Sequence, residues 1–437
     1  VLILGNSLSF TRTLDDARWS WEHWKLFVTV SANYALDGIM FSIAPLMAYI
    51  VAPDIAIYVL VANLLAEWLG ALVFGRLADI YGRRPIFTLV LVMEVLALTL
   101  LYFTYENPVA FLILTSTMTF GIGGEFGAAY AALAEFSPRA HRGKALMLST
   151  NFWNIGAALI AGAALLYAFI YEDPIVQIRL LLLSALGTAV VVGLARLAFP
   201  ESVRWLVVKG RVVEAELTVR RFTGVREPLE FRLPPEQSIG LGEALSRYPF
   251  RLVVLAVVTV AQYVTYGMLA YYVPYSRGFT FGIEQAPRVV FIANLGASIG
   301  AFLLLPLIDR ARRLSVLLAF LGGTLTTVTV LAFHNLELLL AFYTLLFLNM
   351  VFSEWAWGSI SVLQSELFPT GVRASVVGLL VSLTGIAGAL TVYSEKILTA
   401  QGFLTWAIIL WALGLIASLT WYVKGVESAR RSVEDLA

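Results

Sequence analysis

The sequence predicts an all-α integral membrane protein, with twelve transmembrane helices arranged as two pseudo-symmetric six-helix bundles. Three observations lead there. Mean hydropathy is +0.83, with 59% hydrophobic and 14% charged residues, whereas soluble domains are about 25% charged. The charges gather in short clusters between apolar runs of about 20 residues, the length of helix that crosses about 30 Å of hydrocarbon. Charged landmarks also recur between the two halves at a displacement of about 230 positions, as expected of an internal structural repeat.

In chain order, residues 1–23 carry Arg12, Asp15, Asp16 and Arg18 where a signal peptide would have an apolar core, and are expected to form a cytoplasmic arm. Cutting at charge and proline clusters then gives spans at 24–50, 54–78, 86–104, 108–134, 143–170, 176–199, 249–275, 286–308, 314–333, 337–364, 372–394 and 402–423. Helices of this length satisfy their own backbone in lipid, and they are too long for the alternating strands of a membrane barrel. Residues 24–199 and 249–423 thus form the two bundles. The connection 200–248 contains Pro200, Pro228, Pro234 and Pro235 around the amphipathic stretch Val212 to Phe222, which predicts a linker with short helices. Residues 424–437 form a tail. Of the 30 Lys and Arg residues, only Arg179, Arg277, Arg288 and Lys396 fall on the side reached after odd-numbered spans. The positive-inside rule therefore predicts a multi-pass protein of the cell membrane with both termini and the linker in the cytoplasm.

The chain has no cysteine, and its three histidines, His23, His141 and His334, are far apart. Disulfides are excluded, Cys/His metal chemistry has no ligand set, and no cofactor or metal is expected. A net charge of +1 spread over many loops offers no nucleic-acid surface.

The repeat is clearest in the loop charges. Gly75-Arg-Leu-Ala-Asp79-Ile-Tyr-Gly82-Arg83-Arg84 follows span 2, and Leu307-Ile-Asp309-Arg310-Ala-Arg312-Arg313 follows span 8, with Asp79 and Asp309 displaced by 230. Glu135 with Arg142 follows span 4, and Glu366 with Arg373 follows span 10, both displaced by 231. Acids and arginines at helix ends can pair across the halves, and an acid can also face a helix N-terminus, where the macrodipole favours it. Exposed pairs of about 0 to 1 kcal/mol suit a gate that must open and close.

Gly75 to Arg84 resembles the loop 2–3 signature of the major facilitator superfamily. Pro200-Glu201-Ser202-Val-Arg204-Trp205-Leu206 is similar to the PESxRWL run that follows helix 6 in its sugar porter, organic ion and metabolite:proton symporter branches. The resemblance implies an alternating-access transporter whose cytoplasmic gate comprises Asp79, Arg83, Arg84, Glu135, Arg142, Glu201, Arg204, Asp309, Arg313, Glu366 and Arg373. Glu366-Leu-Phe-Pro369-Thr370-Gly-Val-Arg373 resembles the ELxPTxxR run of organic ion carriers. Asp37-Gly38 resembles the DGxD of aromatic acid carriers, with Met40 replacing the second Asp. Of the QQxxGxN pattern of sugar porters only Gln262 is present, and span 5 lacks the GPxxGG of drug antiporters.

Ionisable groups inside a span are functional candidates by default. Asp37, Glu67, Glu94, Glu125 and Glu354 have no basic residue at matching depth in any span, so they are expected to lack ion-pair partners. A carboxyl without a partner in hydrocarbon favours its neutral form, the property that proton coupling needs. Asn33 and Asp37 share a helix face. Glu125 and Glu354 are displaced by 229 and are expected at equivalent depths. Asp37, Glu125, Glu354 and Asn33 are therefore the candidates for proton coupling. Glu67 and Glu94 rank lower, Glu67 because Asn63 lies one turn away and Glu94 because the third helix is peripheral in the resembled fold. Gln262, Tyr263, Tyr266, Tyr271, Asn154, Trp355 and Trp357 are the candidate solute-binding surface. The expected partners are a small organic solute, protons and the lipid bilayer, and the expected state is a monomer. The excess of acids favours an organic cation or uncharged solute in symport with protons. A sugar transporter, an uncoupled facilitator and a non-transporting solute sensor remain alternatives, and a membrane enzyme has no metal-ligand cluster to support it.

Overall fold

The computed structural model describes residues 8–196, 199–231, 241–308, 310–368 and 370–428, apart from the side chains of 8, 79, 126–128, 241, 365, 370, 371 and 373–375. Asp309 and the side chains of Asp79 and Arg373, all assigned to the gate, lie outside the described residues. Twelve long helices are present among the described residues: α1 Trp21–Val51, α2 Ala56–Tyr81, α3 Arg83–Thr104, α4 Pro108–Phe136, α5 Arg142–Ile170, α6 Pro174–Arg196, α7 Pro249–Gly267, α8 Ala286–Ile308, α9 Arg312–Asn335, α10 Leu339–Glu366, α11 Thr370–Tyr393 and α12 Ala400–Lys424. Each is long and apolar enough to cross a bilayer.

Local chemistry sets the ends. Asn107 caps α4 by accepting from the amides of Val109 (2.9 Å) and Ala110 (3.1 Å), ahead of Pro108 at the first helical position. At the start of α1, the Ser20 amide donates to His23 Nδ1 (3.0 Å), and His23 Nε2 lies 3.1 Å from the Phe136 carbonyl. Those bonds require the tautomer with its proton on Nε2. Gly82 turns the chain from α2 into α3 at φ +100°, a left-handed conformation that a side chain would strain, and a Cβ there would strike the Glu201 carboxylate. The C-terminal end of α7 departs from a regular helix. It widens into a π turn over Met268–Tyr272 and tightens into a 3-10 turn over Val273–Tyr275 containing Pro274. Such irregular turns re-aim side chains, here Tyr271, Tyr272 and Tyr275.

The bundles pack as the repeat predicts. Helices α1 to α6 and α7 to α12 contact chiefly within their own sets, and the two sets meet along α5 against α8 and α2 against α11. Close packing depends on small residues: a Cβ on Gly38 of α1 would overlap the carbonyl of Trp153, and one on Gly156 of α5 that of Ala35. Apolar side chains such as Phe103, Leu166, Phe169, Leu194, Leu325 and Ile416 face outward, while Asp37, Asn33, Glu94 and Glu125 are buried. That polarity is the reverse of a soluble protein's and is what lipid requires. Short helices Val203–Val208, Val212–Thr223 and Leu241–Arg247 occupy the linker, and Leu8–Ser9 of the arm pair in parallel with Leu229–Glu230.

Candidate functional site

Two polar centres lie inside the apolar shell. The first is wholly in the N-terminal half. Helices α1, α3 and α4 bring Asp37, Glu94 and Glu125 together so that one carboxylate oxygen of each lies within 4.8 Å of the others. Asn33, one turn before Asp37, donates its amide to Asp37 Oδ2 (3.1 Å). Arg196, at the end of α6, grips Glu125 with both terminal nitrogens, one on each carboxylate oxygen. Its Nη1 also lies 3.3 Å from the Phe87 carbonyl, and the guanidinium sits 5.5 Å from the Phe87 ring centroid.

Arg196 corrects the expectation that the buried acids have no base at their depth. Arg196 lies near the end of the sixth span, 176–199, on the side rich in Lys and Arg, and so is not matched by sequence to the depth of the acids. It is the last described residue of α6, and its long side chain reaches back along its apolar stem to the acid. Glu94 likewise belongs to the centre, since it lies on the buried face of α3 with Val90, Ala97 and Leu98.

The second centre spans the halves. Glu354 Oε2 accepts from Asn154 Nδ2 (3.0 Å), joining α10 to α5. Asn154 Nδ2 also faces Asn151 Oδ1 (3.1 Å). The Tyr266 hydroxyl donates to Asn294 Oδ1 (2.7 Å) and lies 3.0 Å from Asn154 Oδ1, and Tyr271 donates to the same Asn294 oxygen (3.3 Å). Phe41 of α1 packs against Trp153 and Tyr271, at 5.2 Å from each centroid. Tyr263 donates across the halves to Glu67 Oε2 (3.2 Å). Glu67 thus does not pair with Asn63, whose oxygen instead accepts from Thr115 and Ser116. Gln262 donates to Ser353 within the C-terminal half, beside Glu354. Trp355 departs from the expected binding surface, because its indole donates to the Gly300 carbonyl (2.9 Å) and ties α10 to α8. Trp357 is half-buried, three residues beyond Glu354. Asn151, Trp153, Phe41 and Asn294 were not singled out by sequence, since an amide or aromatic in an apolar span is unremarkable until its neighbours are known. Glu125 and Glu354 therefore differ in setting despite their matching positions: one is ion-paired inside a half and the other bonded to a neutral amide between halves.

The sequence profile of the Major Facilitator Superfamily matches residues 26–392. The chain belongs to this superfamily. It is 29% identical to the inner membrane metabolite transport protein YgcS of Escherichia coli over 80% of this chain and 76% of that one. It is 24% identical to the minor myo-inositol transporter IolF of Bacillus subtilis over the same shares. Among solved structures, the xylose transporter XylE from E. coli in a partially occluded inward-open conformation superposes with a TM-score of 0.74 at 17% identity, covering 94% of this chain and 100% of that one. The proton:xylose symporter XylE bound to 6-bromo-6-deoxy-D-glucose gives 0.75 at 16% identity, covering 96% and 99%. The protein is a multi-pass membrane transporter and not an enzyme.

As in the resembled signature, this superfamily chain carries an ionic network on the side rich in Lys and Arg. Arg83 Nη1 bonds Glu135 Oε2 (3.0 Å). Glu201 accepts from the amides of Arg83 (2.9 Å) and Arg84 (3.2 Å) at the start of α3. Glu135 in turn accepts from the Arg204 amide (2.8 Å) and the Ser202 hydroxyl (2.6 Å) at the start of Val203–Val208. Both acids thus sit on helix N-termini, where four amides lack helical partners and the dipole is positive. Arg142 pairs with Asp15 of the N-terminal arm. In the other half the partner of Glu366 is Arg312, not Arg313. Arg313 donates to the carbonyls of Tyr422 (3.2 Å) and Gly425 (3.0 Å) and lies 3.7 Å from Glu427, which also accepts from the amides of Arg312 and Arg313 (3.3 Å each). The ion pairs of Arg83, Arg196 and Arg312 each close within one half. On the opposite side the halves are joined: Tyr275 donates to the Pro45 carbonyl (2.7 Å), and Lys396 lies 3.7 Å from the Tyr58 ring centroid.

Proposed function

We propose that the protein is a proton-coupled symporter of a small, hydroxyl-rich organic solute, working by alternating access. The observation that carries the coupling is the buried centre of Asp37, Glu94 and Glu125 against one arginine: a group of acids with too few bases must trade protons to stay neutral in lipid. The solute site is the network between halves, where Glu354, Asn154, Asn294, Tyr266, Tyr271 and Gln262 present donors and acceptors beside the Phe41 and Trp153 rings. Neutral amides and hydroxyls suit a solute with many hydroxyls, and a myo-inositol transporter and a xylose symporter are among the similar proteins. A second reading is an organic cation, favoured by Glu354 and Glu67, each held only by a neutral donor.

Residues 24–199 and 249–423 would rock as units about the linker 200–248, and the protein would act as a monomer. The Lys and Arg asymmetry supports a cell-membrane protein with the ionic network and both termini in the cytoplasm. In this reading the Tyr275 bond to the Pro45 carbonyl would help to seal the side opposite the ionic network. Uptake by proteoliposomes, screened over polyols, sugars and organic cations with and without an inward proton gradient, tests the reading. Accumulation that follows the gradient and is abolished by Asp37→Asn is expected. Uptake indifferent to both sinks the coupled mechanism.

A further inference from the structure

The first centre holds more acid than one proton can neutralise. Asp37, Glu94 and Glu125 are at most 1% exposed, and Arg196 is 6% exposed. Arg196 occupies both oxygens of Glu125, so that acid and base cancel. Asp37 then has Oδ2 on the Asn33 amide, while its Oδ1 and both oxygens of Glu94 have no hydrogen-bond partner. Two carboxylates remain side by side and buried, with no further base among the described residues to balance them.

The surroundings leave no other source of charge. From α1 the groups facing the pair are Asp37 itself and Tyr34, from α2 Glu67, from α4 Glu125 and from α6 Arg196. Glu67 is engaged by Tyr263, and Arg196 is the sole base at this centre among the described residues. The seat of Glu94 is shaped for it. Gly121 of α4, one turn before Glu125, leaves open backbone where a Cβ would strike the Glu94 carboxyl, so the side chain lies flat against α4 and points to the others.

We propose that Glu94 is a second proton-binding residue, and that the closed centre holds two protons, one on Asp37 and one on Glu94. This rests on the proton-coupled reading above and deepens it. Each carboxylate takes one proton from water when the centre opens and returns one to water later, with no other bond made or broken. A neutral Glu94 supplies the O–H donor that Asp37 Oδ1 lacks, and a neutral Asp37 adds no second charge, so two protons partner Asp37 Oδ1 and one Glu94 oxygen and balance the charge together. One proton leaves a net negative charge in lipid.

Infrared difference spectra of the purified full-length protein, taken across an acid-to-alkaline titration in water and in heavy water, read neutral carboxyl groups directly and require no solute. The wild type should show neutral-carboxyl bands that shift in heavy water. Glu94→Gln should remove one of them, Asp37→Asn a different one, and the double variant both. If Glu94→Gln does not fold, Glu94→Asp serves instead and should shift the band. Spectra in which neither Glu94 variant alters any neutral-carboxyl band overturn the proposal. Failure of the coupled reading is distinguishable, because it appears as gradient-independent uptake while leaving these bands in place.

Discussion

The two halves repeat their edges and differ at their centres. Arg312 and Glu366 lie 229 and 231 positions beyond Arg83 and Glu135 and form the same ion pair. Glu427 caps α9 as Glu201 caps α3, 226 positions earlier. In the middle of the bundles the likeness stops. At a displacement of 230, the C-terminal half has Gly267 for Asp37, Thr324 for Glu94 and Val426 for Arg196. Glu354 alone keeps its acid, and it reaches across to Asn154 instead of a base. A duplicated scaffold has thus kept two copies of the loop machinery, which a symmetric motion needs, while confining the charge centre to one copy. This fits the proposed mechanism, with protons handled in the N-terminal half and the solute held between halves.

The largest effect expected from breaking this asymmetry is on stability. Arg196→Leu leaves Glu125 buried and uncompensated, and removing one partner of a buried pair costs about 3 to 5 kcal/mol. Arg312→Leu breaks an edge pair of the other half, whose side chains are 10% and 20% exposed, and should cost clearly less. Thermal unfolding in detergent should rank the two variants in that order, and Glu125→Gln added to Arg196→Leu should restore much of the loss. Equal losses would show that the N-terminal centre is no more a buried ionic core than the loop pairs are.

How much of this was legible in the sequence follows from which signals are periodic. The twelve helices and the linker helix over 212–223 were visible because hydropathy repeats along the chain; loop charge marked residues of the edge network but not its pairing, since pairs across the halves were expected and Arg83–Glu135 and Arg312–Glu366 each close within one half. The Asn33–Asp37 bond was visible because i and i+4 fix a shared helix face. Arg196 was not: it stands near the end of its span, and residue position alone does not show that a long side chain reaches back from there to an acid deeper in the bundle. Trp355 failed for another reason, as helical position does not reveal that an indole will find the Gly300 carbonyl of α8. The exchange of Arg313 for Arg312 is a one-position slip, which on a helix start is a rotation of about 100°.

The next effect separates proton from solute. Glu354→Gln weakens a hydrogen bond to a carboxylate, a class worth about 1.5 to 3 kcal/mol. If the solute uses that oxygen, binding should weaken roughly 10- to 100-fold. Asp37→Asn should leave solute binding nearly unchanged and abolish the response to a proton gradient. Binding followed by ligand-dependent thermal shift, alongside gradient-driven uptake, checks both. Loss of binding in Asp37→Asn with normal binding in Glu354→Gln would invert the assignment of the halves.

A smaller effect concerns the seal between them. Tyr275→Phe removes one hydrogen bond to Pro45, worth about 1 kcal/mol, and should shift the population toward the open state on that side by roughly fivefold. The chain has no cysteine, so Ser42→Cys, one turn inside Pro45 on α1, makes a clean reporter. Its labelling by an impermeant maleimide from that side should quicken by a similar factor. An unchanged rate would mean that aromatic packing of Phe41 on Tyr271 holds the seal without the bond.

The smallest expected effect tests how alike the repeated edges are. Glu201 accepts from the amides of Arg83, Arg84 and Ser202 at 2.9 to 3.2 Å, whereas Glu427 accepts from Arg312 and Arg313 at 3.3 Å each. Caps and charge–dipole contacts contribute about 0.3 to 2 kcal/mol, and the charge is lost in Gln while an acceptor oxygen stays. Glu201→Gln should therefore speed amide hydrogen exchange at the start of α3 severalfold, and Glu427→Gln should do less at the start of α9. The reason for the inequality is geometric: Glu201 is held in a turn between Gly82 and Ser202, while Glu427 sits on the segment beyond α12. Equal acceleration at both helix starts would mean that the two caps contribute alike despite their distances, and the functional difference between the halves would then reside in the centres alone.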